Sequence, residues 1–234
     1  MDILTQWWNA LAAWLGVAAG HAGSVVQGSS LDLPQLLALA AVLGWASGIR
    51  LYAVLFITGM AGWLGWLPLP QGLHLLQNPA MLGASGFMLF VEFFADKIPG
   101  LDSLWDLLHS VIRIPAGAAL AAGVFGADNG TMAAVAALLG GSLAATSFAT
   151  KATTRAAANT SPEPFSNIGL SLLEDGLVVG AIWLATNHPV AFGICLVITL
   201  VLSVLLMVVL FKFLRLLGRK LAGLFSGQAA SQGT

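Results

Sequence analysis

Long runs of apolar residues, separated by short intervals rich in Pro, Gly and polar side chains, mark out the elements of this chain. Residues 28–34 (GSSLDLP) form a break. A first apolar segment follows over about 35–63, interrupted by Gly44, Ser47, Gly48 and Arg50. Residues 65–79, with Pro68, Pro70, Gly72, Asn78 and Pro79, read as a loop. The second segment covers about 79–97 and stops at Ile98-Pro99-Gly100. The third runs from Leu101 to Gly126 and carries Pro115, which is expected to kink or break it. The fourth, 131 to about 158, is dense in Gly, Ala and Ser, which let neighbouring helices approach closely. Residues 159–166 (NTSPEPFS) form a rigid loop, the fifth segment covers 167–186, Asn187-His188-Pro189 turns the chain, and the sixth runs from 190 to about 217. Residues 228–234 are a polar tail, expected to be mobile. Apolar segments near the roughly 20 residues a bilayer requires predict an all-α polytopic membrane protein with six spans.

Composition sharpens this reading. Of 234 residues, 58% are hydrophobic and 8% charged, against roughly a quarter charged in a typical soluble domain. A net charge of −1 provides no basic field for nucleic acid. The single cysteine, Cys195, cannot close an intramolecular disulfide and reads as packing. Residues 1–27 have no Lys or Arg ahead of their apolar stretch and contain Gln6, Asn9 and His21, unlike a secretory signal. Trp7, Trp8 and Trp14 with Leu4, Leu11 and Leu15 suit an amphipathic helix at the headgroup level, a seventh span being the alternative. The organisation is then an interfacial helix and linker over 1–33, one transmembrane domain over 34–222, and a flexible tail over 223–234.

Basic residues give an orientation. Lys212, Arg215, Arg219 and Lys220 place the C-terminal end in the cytoplasm, as in a bacterial inner-membrane protein. Alternation then puts Lys151, Arg155 and the Lys97 turn inside, with the N-terminal end of segment one also inside. The loops at 65–79, 126–131 and 186–189 hold no Lys or Arg, as outside loops should. Six spans can divide into inverted halves, 34–126 and 131–222. An echo between Leu39-Ala40-Ala41-Val42-Leu43-Gly44 and Val135-Ala136-Ala137-Leu138-Leu139-Gly140 fits such a repeat, a plan common in transporters with midplane sites.

Ionisable groups cluster between residues 92 and 113. Asp102, Asp106, His109 and Arg113, spaced by four, three and four, share one helix face, and Glu92 and Asp96 share a face of the preceding helix. Charged side chains inside a bilayer persist where they pair or line a wet cavity. The alternative for residues 101–113 is an amphipathic interfacial helix with its polar stripe in water and Leu104, Leu107, Leu108 and Val111 in lipid. Arg50 lies within segment one and Glu174 within segment five, and each is costly there unless paired. The expected ion- or substrate-binding set is Arg50, Glu92, Asp96, Asp102, Asp106, His109, Arg113 and Glu174. Lys97, Lys151, Arg155 and Asp175 are secondary candidates; topology alone suffices for Lys151 and Arg155, four apart at the inner end of segment four, and contact with a phosphate or carboxylate is the alternative. Carboxylates with an imidazole would also suit a divalent metal at Glu92, Asp96, Asp102, Asp106 and His109. No HExxH, GxSxG or P-loop motif is present, so a catalytic role has no motif behind it.

Residues 46–52 (ASGIRLY), 91–106 (VEFFADKIPGLDSLWD) and 159–167 (NTSPEPFSN) resemble the membrane family named domain of unknown function 4126. The resemblance covers about 34–217. It implies a multi-spanning membrane protein and carries no activity. Its motif blocks hold Arg50, Glu92, Asp96, Lys97, Asp102 and Asp106. The expected function is a transporter or channel for a small ion or solute, the bilayer and that ion or solute being its partners. The alternatives are a non-transporting scaffold or lipid-handling protein and a metal-dependent membrane enzyme. The small-residue face of segment four suits internal packing or a homo-oligomer equally.

Overall fold

A computed structural model describes Gln6 and residues 31–98, 101–160 and 164–231. The expected interfacial helix otherwise lies outside the described residues. Among them the chain is all helix and turn: α1 (Leu33–Trp63), a 3-10 helix (Gln71–Gln77), α2 (Pro79–Ala95), α3 (Leu101–Phe125), a 3-10 turn (Ala127–Asn129), α4 (Gly130–Ala158), α5 (Pro164–Asn187) and α6 (Pro189–Ser231). The six segments read from the apolar pattern thus coincide with six helices. Three details differ. The 65–79 loop contains the 3-10 helix, and α6 continues to Ser231, past the start of the expected tail. α3 runs unbroken through Pro115. Pro115 removes only one N–H, and α3 is held against α1 and α4, the setting in which membrane helices tolerate proline.

Among the described residues five helices are long and apolar enough to cross a membrane, or six if the 3-10 helix and α2, bent by 67°, count as one broken span. The clearest is α6. Within Pro189–Leu216 the most apolar 18 residues have a mean hydropathy of 3.2, yet Val190, Ile194, Val197, Ile198, Val201 and Leu205 all lie on the surface. Water would penalise such a face, whereas lipid tails accommodate it.

α1 is the centre of the bundle. It starts from a capping box, Asp32 accepting from the Gln35 amide at 2.9 Å while Gln35 Oε1 accepts from the Asp32 amide at 3.0 Å. Leu36, Val42, Leu43, Ala46 and Val54 are fully buried. Arg50 leaves the helical region (φ −145°, ψ 84°) and divides α1 in two. The first half packs along α4 in the same direction: a Cβ on Gly44 would stand 2.6 Å from Gly140 Cα, and one on Gly48 would collide with the Ala144 carbonyl. α3 runs the opposite way, with Gly117 beside Ser47 and Ala144 and Gly141 beside Ala118. Gly123, further along α3, therefore lies toward the start of α1. Gly72 of the 3-10 helix abuts Gly123, and Leu76, four residues on, abuts Gly59 in the second half of α1. A straight helix at 1.5 Å per residue would carry Gly59 well beyond that reach. α1 is therefore bent at Arg50, and its second half turns back toward the end of the bundle where the first half begins.

This corrects two expectations. Both ends of α1 belong to the end of the bundle that holds the 65–79 and 126–129 connections, so α1 is a V bent at Arg50, and its N-terminal end, expected on the inner side by alternation, lies at the same end as those connections. The Leu39–Gly44 and Val135–Gly140 echo joins helices that run parallel, so it does not mark an inverted pair.

Candidate functional site

At the apex of this V, all the helices except α6 contribute charged side chains to one buried network. Around the break at Arg50, α4 supplies donors to α1 carbonyls: Ser147 Oγ donates to the Trp45 carbonyl at 2.6 Å and Lys151 Nζ to the Ile49 carbonyl at 3.1 Å. The Arg50 guanidinium lies 2.9 Å from Asp96 and 3.0 Å from Asp175, and donates to Ser171 Oγ at 2.7 Å and to its carbonyl at 3.2 Å. α1 can break there because this side chain is fixed from α2 and α5 at once.

Three further bases complete the network. Arg113 on α3 pairs with Glu92 of α2, and with Asp106 of its own helix at 2.6 Å. Arg155 on α4 grips Glu174 through two bonds of 3.1 and 3.0 Å, and donates to the Asp96 carbonyl at 3.0 Å. Lys151, one turn before Arg155, reaches Asp106 at 3.0 Å, Glu174 at 3.4 Å and Asp96 at 3.6 Å. Arg50, Glu92, Asp96 and Arg113 have no exposed surface, and Asp106, Lys151, Arg155 and Glu174 have at most 8%. These eight groups are four bases and four acids, so the enclosed charge balances. Isolated charges would be intolerable at such depth; paired ones persist. Hydrogen bonding is nevertheless incomplete among the described residues: Asp96 Oδ1, Glu92 Oε2 and Asp106 Oδ2 accept no hydrogen bond, and Asp96 Oδ2 is met only by ion pairs.

Lys97 and Asp175 sit at the margin. Lys97 Nζ bonds the Phe93 carbonyl at 2.9 Å and lies over the Phe93 ring. Partial burial, and secondly the nearby Arg50, pull its amine below the usual lysine range, opposed by Asp175 and Asp96. His109 stands apart from the ion pairs: Nδ1 faces the Trp105 carbonyl at 2.8 Å, and the ring stacks on Trp105 at 4.0 Å between centroids. The side chain of Asp102 lies outside the described residues. On α3, Asp106 and Arg113 are buried while Leu104, Leu107, Leu108 and Val111 are more than half exposed. The polar stripe therefore faces protein, and the apolar stripe faces outward. Among the described residues no group of three or more His, Cys, Asp or Glu has the spacing to hold a metal ion.

Sequence reasoning ranked Lys151 and Arg155 second, and both prove buried. The carboxylate contact held as the alternative for this pair is the one found, and Ser147, one turn earlier on the same face of α4, is the member the sequence reading missed. Ser171, a turn before Glu174 and Asp175, was missed in the same way.

A family model described as a domain of unknown function, DUF4126, matches residues 37–209. The chain belongs to that family. The DUF4126 match takes in every member of the network from Arg50 to Asp175. No curated protein and no solved structure matches the chain significantly.

Proposed function

We propose that this DUF4126 protein is a transporter or channel for a small ion or solute, with the charge network as its site. The observation that carries the reading is the helix break at Arg50. Broken helices whose freed carbonyls and buried carboxylates converge are the usual material of membrane ion sites. Glu92, Asp96 and Glu174 serve as the cation or proton sites, and Arg50 as a counter-ion whose partners change between states. Asp106 and Arg113 belong to the vestibule beside them. The basic end of the bundle faces the cytoplasm, as the positive-inside rule requires, and the apex of α1 lies toward it. The test is flux into liposomes containing the purified protein. Transport is expected for wild type and lost in Glu92→Gln with folding retained; unchanged flux in that variant removes Glu92 from the mechanism.

One observation favours a second reading. Four buried bases balance four buried acids, as in internal glue for a scaffold or lipid-handling protein. On that reading, neutralising substitutions lower thermal stability and the wild type moves nothing.

A further inference from the structure

We propose that the Lys151 ammonium is a tethered occupant of a cation site, and that the site accepts ammonium or a small alkylammonium when Lys151 is absent or withdrawn. Four oxygens from four different elements converge on Lys151 Nζ: Asp106 Oδ1 at 3.0 Å, the Ile49 carbonyl at 3.1 Å, Glu174 Oε2 at 3.4 Å and Asp96 Oδ2 at 3.6 Å. The lysine itself comes from a fifth element, α4. Three carboxylates around one ammonium exceed what a single pair needs. The independent sign of a ligand site is Asp96, which is wholly buried: Oδ2 is ion-paired with Arg50 at 2.9 Å, and Oδ1 has no hydrogen-bond partner among the described residues.

The three carboxylate walls of the site have partners besides the lysine. Arg113 holds Asp106, Arg155 holds Glu174, and Arg50 holds Asp96. Rigid guanidinium forks fix these carboxylates, while the lysine is a compact charge on a flexible four-carbon stem. The stem can leave while the oxygens stay. The spacing also selects the ligand class. Asp106 and the Ile49 carbonyl, at 3.0 and 3.1 Å, stand at the N–H···O distances of an ammonium, and Glu174 and Asp96, at 3.4 and 3.6 Å, stand at ion-pair distances; none is within the roughly 2.0–2.6 Å reach of magnesium or calcium. The inference deepens the transport reading by naming a cation class. It rests on that reading only for its role, because binding is measured without flux: a failed flux assay and a failed binding assay are separate results.

The experiment compares thermal unfolding of detergent-purified wild type, Lys151→Ala and Lys151→Ser in methylammonium chloride and in choline chloride at equal ionic strength. A ligand that binds only the folded state raises the midpoint with its concentration. Both variants are expected to unfold earlier than wild type in choline and to recover by several degrees in methylammonium, saturably. Wild type, its site filled, is expected to show no such difference. Equal midpoints of the variants in the two salts, an equal rise in wild type, or failure of both variants to fold in either salt overturns the proposal.

Discussion

The Ile49 carbonyl accepts a hydrogen bond from Lys151 at 3.1 Å, immediately before the residue at which α1 departs from helical geometry. Backbone and charge are thereby coupled. α1 can stay broken because α4 satisfies its carbonyls, and Lys151 can stay buried because α1 supplies a carbonyl beside the carboxylates. Lys151→Met, which keeps the stem and removes the charge, leaves that carbonyl and three carboxylates short of a donor. It is expected to destabilise the protein by about 3–5 kcal/mol, the usual consequence of removing one partner from a buried ion pair. Unfolding in detergent measures this.

The contact of α1 with α4 predicts a sharp contrast between glycines. A methyl on Gly48 would meet the Ala144 carbonyl and Ser147 Oγ, both packed, whereas one on Gly169 would meet nothing. Gly48→Ala is expected to cost about 1–3 kcal/mol through overpacking. Gly169→Ala should be neutral, or stabilising by up to about 1 kcal/mol through helix propensity. The two melting curves, taken side by side, check both.

Arg113 and Glu92 should behave as one unit. Arg113→Met alone strands Glu92 and leaves Asp106 to Lys151, so a loss of about 3–5 kcal/mol is expected. Adding Glu92→Gln to Arg113→Met should recover part of that loss, giving a double-mutant cycle with a coupling above about 1 kcal/mol. Strict additivity would mean that the contact contributes nothing to stability.

The V shape of α1 makes a topological prediction. Asp32 is exposed ahead of α1 and Trp66 is exposed after it. In a Cys195→Ala background, cysteines at positions 32 and 66 are expected to react with an impermeant thiol reagent from the same side of sealed vesicles. A cysteine at position 97, at the apex end, should be protected from that side. Labelling of 32 and 66 from opposite sides would restore a straight span.

Much of the helical plan was legible because hydrocarbon runs and Pro/Gly punctuation act locally: Pro79, Pro164 and Pro189 each stand at the start of a helix. The bend was not. Arg50 carries no proline, and what breaks the helix there is a set of long-range partners, Asp96, Ser171 and Asp175, which periodicity cannot report. Pro115 misled for the converse reason, since its neighbours hold the helix together. At the site, the cost of charge in lipid singled out Arg50, Glu92, Asp96 and Glu174 without a structure. His109 was expected to share a face of α3 with Asp106 and Arg113 but turns to Trp105 instead, because an imidazole can satisfy itself on its own helix. Lys151 and Arg155 looked like sidedness signals because they lie near the end of α4. Only the fold shows that this end is covered by α1, α2, α3 and α5.

The most direct test of the central claim is ion or proton flux in liposomes carrying wild type or Asp96→Asn. The account predicts flux above protein-free vesicles for wild type, and its loss in Asp96→Asn while the variant still folds. Flux that is equal in the two proteins, or absent from correctly folded wild type for every small ion tried, would contradict it.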